Sequence, residues 1–157
     1  MTETERKIEL LKEIARRFNA ADITWALGAS MLLYFKAIAP EFHDIDLMIS
    51  DEDIDSARDI LSEMGELQPA NPNPRYRTKA FMEFVINSID VDVMAGFSIL
   101  NNGINYDCSL EKEQIAEWLP LGDVQIPLQS PLLWRKYYEL MGRKEKVDMI
   151  ESALSDG

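Results

Sequence analysis

Apolar positions recur along the chain at two spacings, and each spacing marks a different kind of element. Between residues 3 and 20, Ile8, Leu11, Ile14, Ala15 and Phe18 fall three or four apart, while Glu5, Lys12, Glu13, Arg16 and Arg17 lie mostly outside that stripe. This pattern predicts an amphipathic helix with one face on a core. Residues 23–27 read as a short strand, Gly28 as its sharp exit, and residues 30–38 as an apolar and aromatic helix ended by Pro40. The period then drops to two: Asp44, Asp46 and Met48 alternate with Ile45, Leu47 and Ile49, as in a half-buried strand. A second amphipathic helix is predicted over about 54–64, capped by Ser50 or Asp51 and stopped by Gly65.

The second half of the chain opens with a proline-rich loop, residues 68–77, too irregular for a core element. Arg75, Arg77 and Lys79 make it the most basic stretch before the C-terminus, suited to reach a triphosphate or to neutralise nearby acids. Residues 79–87 and 89–94 read as paired strands turning at Asn87-Ser88, and Asn101-Asn102-Gly103 signals a further hairpin. Residues 111–119 are ambiguous between helix and strand, and Pro127 argues that the extended run 124–128 lies at a sheet edge. Ser130 followed by Pro131 opens a helix, with Leu132, Leu133, Tyr137, Leu140 and Met141 inward. Gly142 ends it, and a last helix begins near Arg143.

The chemistry concentrates in the first half. On a strand, Asp44 and Asp46 leave one face roughly 7 Å apart. Like charges so placed are destabilising unless something positive bridges them. Oxygen-only surroundings suit Mg²⁺ (or Mn²⁺), which keeps waters and takes further ligands from a substrate's phosphates. Upstream, the glycine turn in Leu27-Gly28-Ala29-Ser30 feeds a helix N-terminus, where backbone N–H groups and the helix dipole favour a phosphate. A later strand carries Asp90 and Asp92 on one face, with Val91 and Val93 opposite.

Strand, glycine turn, helix, an Asp-x-Asp strand and a later aspartate strand, in this order, resemble the nucleotidyltransferase superfamily. That fold is shared by DNA polymerase beta, the aminoglycoside and lincosamide adenylyltransferases, and the small nucleotidyltransferases of toxin-antitoxin pairs. In the resemblance, Gly28, Ala29 and Ser30 stand for the family's turn, Asp44 and Asp46 for its carboxylate pair, and Asp92 for its third carboxylate, with Asp90 as the fallback. Ala29 sits where the family usually has a second small or hydroxyl residue, and Glu41-Phe42-His43 precede the pair in place of an Arg or Lys. The stretch after residue 128, with its Gly-Arg-Lys turn, is similar in part to the C-terminal portion of the lincosamide and toxin types.

The resemblance implies an α+β fold, a mixed twisted sheet flanked by helices with further helices at the C-terminus. It would form one domain over 1–157, with a core at about 21–96 and a hairpin and helical part at about 97–155. It also implies metal-dependent transfer of NMP, AMP from ATP foremost, to a hydroxyl of a small molecule, protein or RNA. Asp44, Asp46 and Asp92 would act as catalytic residues and as ligands of Mg²⁺ or Mn²⁺, and Gly28, Ala29, Ser30, Arg77, Arg143 and Lys146 would hold the nucleotide. The competing reading is a fold-keeping binding protein, weak or inactive in catalysis, such as the toxin or accessory member of a pair.

Composition narrows the acceptor. Sixteen basic against twenty-eight acidic residues give a net charge of −12, which disfavours DNA, since affinity there comes from neutralised phosphates. A protein partner or a homodimer is compatible with that charge. The 157 residues suffice to bury roughly 70% of the unfolded surface. A single cysteine, Cys108, closes no internal disulfide, and no apolar run is long enough for a membrane span. The expected location is the cytoplasm. Trp25, Trp118 and Trp134 read as core or interface anchors, and the only histidine, His43, as an exposed neighbour of Asp44.

Overall fold

The computed structural model describes residues 1–71, 76 and 78–155. In chain order its elements are α1 (Glu3–Ala20), β1 (Trp25–Leu27), α2 (Ala29–Phe35), β2 (Ile45–Ile49), α3 (Ile54–Met64), β3 (Glu66–Leu67), β4 (Ala80–Ile86), β5 (Ile89–Ala95), β6 (Ser98–Asn101), β7 (Ile104–Asp107), β8 (Glu117–Leu121), β9 (Val124–Leu128), α4 (Pro131–Met141) and α5 (Lys144–Ser155). Seven strands form one mixed sheet in the order β3-β4-β5-β2-β1-β9-β8, and β6 and β7 form a separate hairpin. The architecture is α+β, as expected.

Parity along the strands divides the sheet into two unlike faces. On one, Trp25, Leu27, Ile45, Leu47, Ile49, Val91, Val93, Phe84 and Ile86 are all buried. Helices α1 and α3 cover this face, α1 against β9 and α3 against β4. The stripe of α1 buries Leu11, Ile14, Ala15 and Phe18, and Phe18 meets Trp25 edge to face at 5.6 Å. Burying side chains of this size contributes about 1.5–3 kcal/mol each before entropy is counted. Thr2 caps α1 by accepting from the Glu5 N–H at 3.1 Å. The opposite face carries Ala26, Met48, Asp46, Asp92, Met94, Glu83 and Phe81, and the functional groups collect there.

Several local expectations are corrected. Helix α2 stops at Phe35, short of residue 38, because Ala37 turns left-handed (φ 59) before Pro40 is reached. Helix α3 has no side-chain cap from Ser50 or Asp51; a 3-10 turn (Asp51–Asp53) precedes it. Asp53 instead accepts hydrogen bonds from the Ser50 hydroxyl (2.8 Å) and the Thr24 N–H (2.9 Å), tying the end of β2 to the start of β1. Residues 111–119 are neither one helix nor one strand: a capped 3-10 turn (Lys112–Gln114) leads into β8. Pro127 lies on β9, which is not an edge, since β8 pairs outside it. The proline is tolerated because β9 meets the three-residue β1 at a single pair, Leu27 with Leu128, leaving little ladder there to interrupt. Both hairpin turns form where expected, with Asn87-Ser88 and Asn102-Gly103 in the left-handed region. No helix among the described residues is long and apolar enough to cross a membrane.

Candidate functional site

The site begins with strand register. β2 and β5 run parallel with Asp46 opposite Asp92, and β4 and β5 run antiparallel with Glu83 opposite Asp92. Three carboxylates thus form a row across adjacent strands, roughly 5 Å from one to the next along the hydrogen-bonding direction. Asp44, two residues before Asp46, enters the same face at the mouth of β2, and Asp90 lies exposed at the start of the parallel β5, level with Asp44. The row floors a cleft of about 1020 Å³, which Ala29, Ser30, His43, Asp44, Arg143 and Lys146 also line.

Crowding of like charge shows in the protonation equilibria. Asp46 is pushed up to about 8 by burial, with Asp92 and then Asp44 adding to it. Asp92 is pushed up to about 7, again by burial first, then by Asp44, Glu83 and Asp90. Asp44 is raised by burial and by Asp90, and eased by His43 and Lys7. No side chain among the described residues donates a hydrogen bond or forms an ion pair to these three aspartates. Folding therefore gathers acids at a cost that an external cation would offset.

The donor set fits a hard divalent ion through oxygen atoms alone. Among the described residues no three His, Cys, Asp or Glu side chains are drawn together into a ready-made metal cage. Mg²⁺ requires only one or two carboxylates and completes its shell with water and substrate phosphates. The neighbouring Asp46 and Asp92 offer that pair.

Gly28 differs from its expected role. Its N–H already donates to the Asp46 carbonyl at 3.1 Å, so it is not free for a phosphate. Its φ of −129 is extended backbone that any residue adopts; glycine is required there because a Cβ would lie 2.5 Å from the Trp134 ring. Ala29 is the strained residue, a non-glycine at φ 54 that opens α2. Ala29 and Ser30 face the cleft and belong to the first helical turn, whose N–H groups have no partner within the helix.

Arg143 and Lys146 reach the cleft from the junction of α4 and α5. The Arg143 guanidinium lies 5.8 Å from the Tyr138 ring centre and pairs with Glu145 at 2.6 Å. Arg77 and Arg75 lie outside the described residues. Lys79 points elsewhere, to Asp51 at 3.3 Å. Both ends of the proline-rich segment nevertheless border the cleft, through Asn71, Tyr76 and Thr78. Cys108 is buried, with its thiol pushed up to about 11 by desolvation, and is chemically quiet.

Two residues escape a sequence reading that follows only aspartates. Glu83 is the one charged residue in the run 80–86, and the two-residue turn at 87–88 fixes its register opposite Asp92, so hairpin arithmetic alone could have found it. Tyr138, 4% exposed, is raised by burial and by Asp46 and forms a wall of the cleft. Its spacing of four from Trp134 was the available signal.

No protein-family model and no curated protein matches the sequence. Solved structures do match. A Thermotoga maritima protein described as a nucleotidyltransferase superposes with a TM-score of 0.76 at 21% identity, over 100% of this chain and 97% of that one. The fold is that of the nucleotidyltransferases. The nucleotidyltransferase fold also aligns this chain with ANT(2'')-Ia in complex with adenylyl-2''-tobramycin (TM-score 0.65, 10% identity, 95% of this chain and 90% of the other). Lincomycin-bound LnuA, a lincosamide antibiotic adenylyltransferase, aligns at a TM-score of 0.61 and 14% identity over 97% and 98% of the two chains. Likeness at such identities establishes architecture, and function has to be argued from the site.

Proposed function

We propose that the protein is a metal-dependent nucleotidyltransferase that moves an NMP group, AMP from ATP foremost, onto a hydroxyl of an acceptor. The observation that carries this reading is the register of β2 against β5, which sets Asp46 beside Asp92 in one cleft with Asp44, Ala29, Ser30, Arg143 and Lys146. Asp46 and Asp92, joined by Asp44, would hold Mg²⁺ or Mn²⁺, whose chemistry there is to neutralise phosphate charge and ease deprotonation of the acceptor hydroxyl.

The chain's own groups do the rest. Arg143 and Lys146 supply positive charge to the phosphates, and the first N–H groups of α2 with the Ser30 hydroxyl donate to them. Asp92 lies on the strand between Asp46 and Glu83, within the same cleft, and its carboxylate takes the hydroxyl proton as general base. Most of the rate comes from positioning and charge neutralisation, because phosphoryl chemistry asks little covalent work of the protein.

Calorimetric titration of ATP with Mg²⁺ into wild type, Asp44→Asn and Asp46→Asn tests the reading. Metal-dependent ATP binding in wild type, weakened at least tenfold in both variants, supports it. Absence of ATP binding in wild type removes it and leaves the competing reading, a fold-keeping binding protein. The strained Ala29 and the lack of a preassembled three-ligand cage are the observations in favour of that alternative.

A further inference from the structure

Trp134 stands in α4, far in sequence from the glycine turn, yet it governs what can occupy position 28. A Cβ on Gly28 would meet Cζ2 of the indole at 2.5 Å and Cε2 and Nε1 at 2.7 Å, distances that no real Cβ tolerates. The indole cannot give way. It is 2% exposed, lies nearly parallel to Phe97 at 6.2 Å, and has Tyr137 and Tyr138 at 5.2 and 5.4 Å. Its N–H donates to Gln129 Oε1 at 2.8 Å. Gln129, 1% exposed, donates its own backbone N–H to the Leu27 carbonyl at 3.2 Å, one residue before the turn. From the other side the Gly28 N–H donates to the carbonyl of Asp46.

These contacts close a bracket running from Asp46 through Gly28, Trp134 and Gln129 back to Leu27. A left-handed alanine such as Ala29 persists only where its surroundings over-determine it, and the bracket is what over-determines this one. We propose that Trp134, oriented by Gln129, is a positioning residue that clamps the Gly28–Ala29 turn at a fixed height over β2 and so sets its distance from the Asp46 carboxylate. The inference rests on the nucleotidyltransferase reading for its consequence in catalysis, and on packing alone for the clamp.

The two parts are separated by exchanging volume across the contact. Trp134→Phe withdraws the ring edge from Gly28 and removes the N–H to Gln129, while Gly28→Ala places a methyl in the space thus vacated. Amide hydrogen exchange at position 28, followed by NMR on the whole chain, reads the clamp without any ligand. KM for ATP against kcat reads its use. Each single variant is expected to speed exchange at position 28 at least tenfold, with amides of α1 used to correct for global stability, and to raise KM for ATP several-fold more than it lowers kcat. The double variant should return exchange and KM to within about threefold of wild type. Losses that multiply in the double variant, or exchange at position 28 unchanged in Trp134→Phe, overturn the clamp. If wild type neither binds nor turns over ATP, the transferase reading falls, and the exchange measurements still decide the clamp.

Discussion

Replacing Asp46 by Asn should make the metal-free protein more stable, the reverse of what truncating a structural ion pair does. The carboxyl of Asp46 moves from 3.8 to about 8 on folding. At pH 7 that displacement costs about 4 kcal/mol before solvent screening is counted. The side chain is only half-buried at the cleft floor, so water screens it, and a realistic cost is roughly 1–3 kcal/mol. The sign follows from linkage. A carboxyl raised in the folded state favours folding relative to higher pH only below its unfolded value near 4, and that advantage is lost as pH climbs through the folded value near 8. Asp46→Asn has no such titration, so the two proteins should melt alike near pH 4 and separate above it. For a chain of 157 residues the variant should melt about 3–9 °C higher at pH 8. Thermal unfolding from pH 4 to pH 9 is the assay. Saturating Mg²⁺ should narrow the gap, because ligand bound to the folded wild type stabilises it by mass action. Equal melting at pH 8, or a gap that does not grow with pH, would refute the account of a half-buried acid pair strained by folding.

Other substitutions probe separate steps of the same account. Asp92→Asn should lower kcat by a factor on the order of 10² or more while leaving the far-ultraviolet circular dichroism unchanged, since it removes the proposed base from a strand that packs on its opposite face. Glu83→Gln should lower the pH at which Asp92 loses its proton, because Glu83 is among the charges that raise it; an NMR titration of the Asp92 carboxyl reads this directly. Ala29→Gly should stabilise the protein by about 1 kcal/mol in denaturant unfolding, by relieving a left-handed alanine. Ser88→Gly should do the same by a similar amount at the β4–β5 turn, where Ser88 sits at φ 66.

How much of this was legible in the sequence depends on whether the information is local. Period-two alternation located β2 and β5 and put Asp46 and Asp92 on predictable faces, and turn chemistry placed both hairpins. Helix caps at Thr2 and Ser130 are local too, each a side-chain oxygen three residues from the N–H it accepts. What sequence could not supply is pairing between distant strands. β8 reaches β9 across a tight turn, but nothing near residue 127 announces that β1, far away in the chain, pairs on its other side, and the rule that sends proline to sheet edges failed because that strand is only three residues long. The helix stop after residue 35 failed similarly: Pro40 is a strong local signal, but the backbone turns earlier, with the Ala37 N–H bonded to the Tyr34 carbonyl and those of Ile38 and Ala39 to that of Leu33.

Gly28 shows the same division at the site itself. From sequence, a glycine between a strand and a helix argues for a conformation or a phosphate, both local causes. Its φ is ordinary and its N–H is already used; the cause is an indole more than a hundred residues away in the chain. The acids obey the complementary logic. Asp44 and Asp46 announce themselves two residues apart, but the stress on them comes from burial and from the arrival of β5, which adds Asp92 beside Asp46 and Asp90 beside Asp44. A fold that used its register for apolar pairing alone would set Val, Ile or Leu at 46, 83 and 92, as it does at 45, 47, 91 and 93. Carboxyls raised by folding at 46 and 92 lower stability without a cation, and the pH dependence of that cost ties the strand pairing to the chemistry proposed for it.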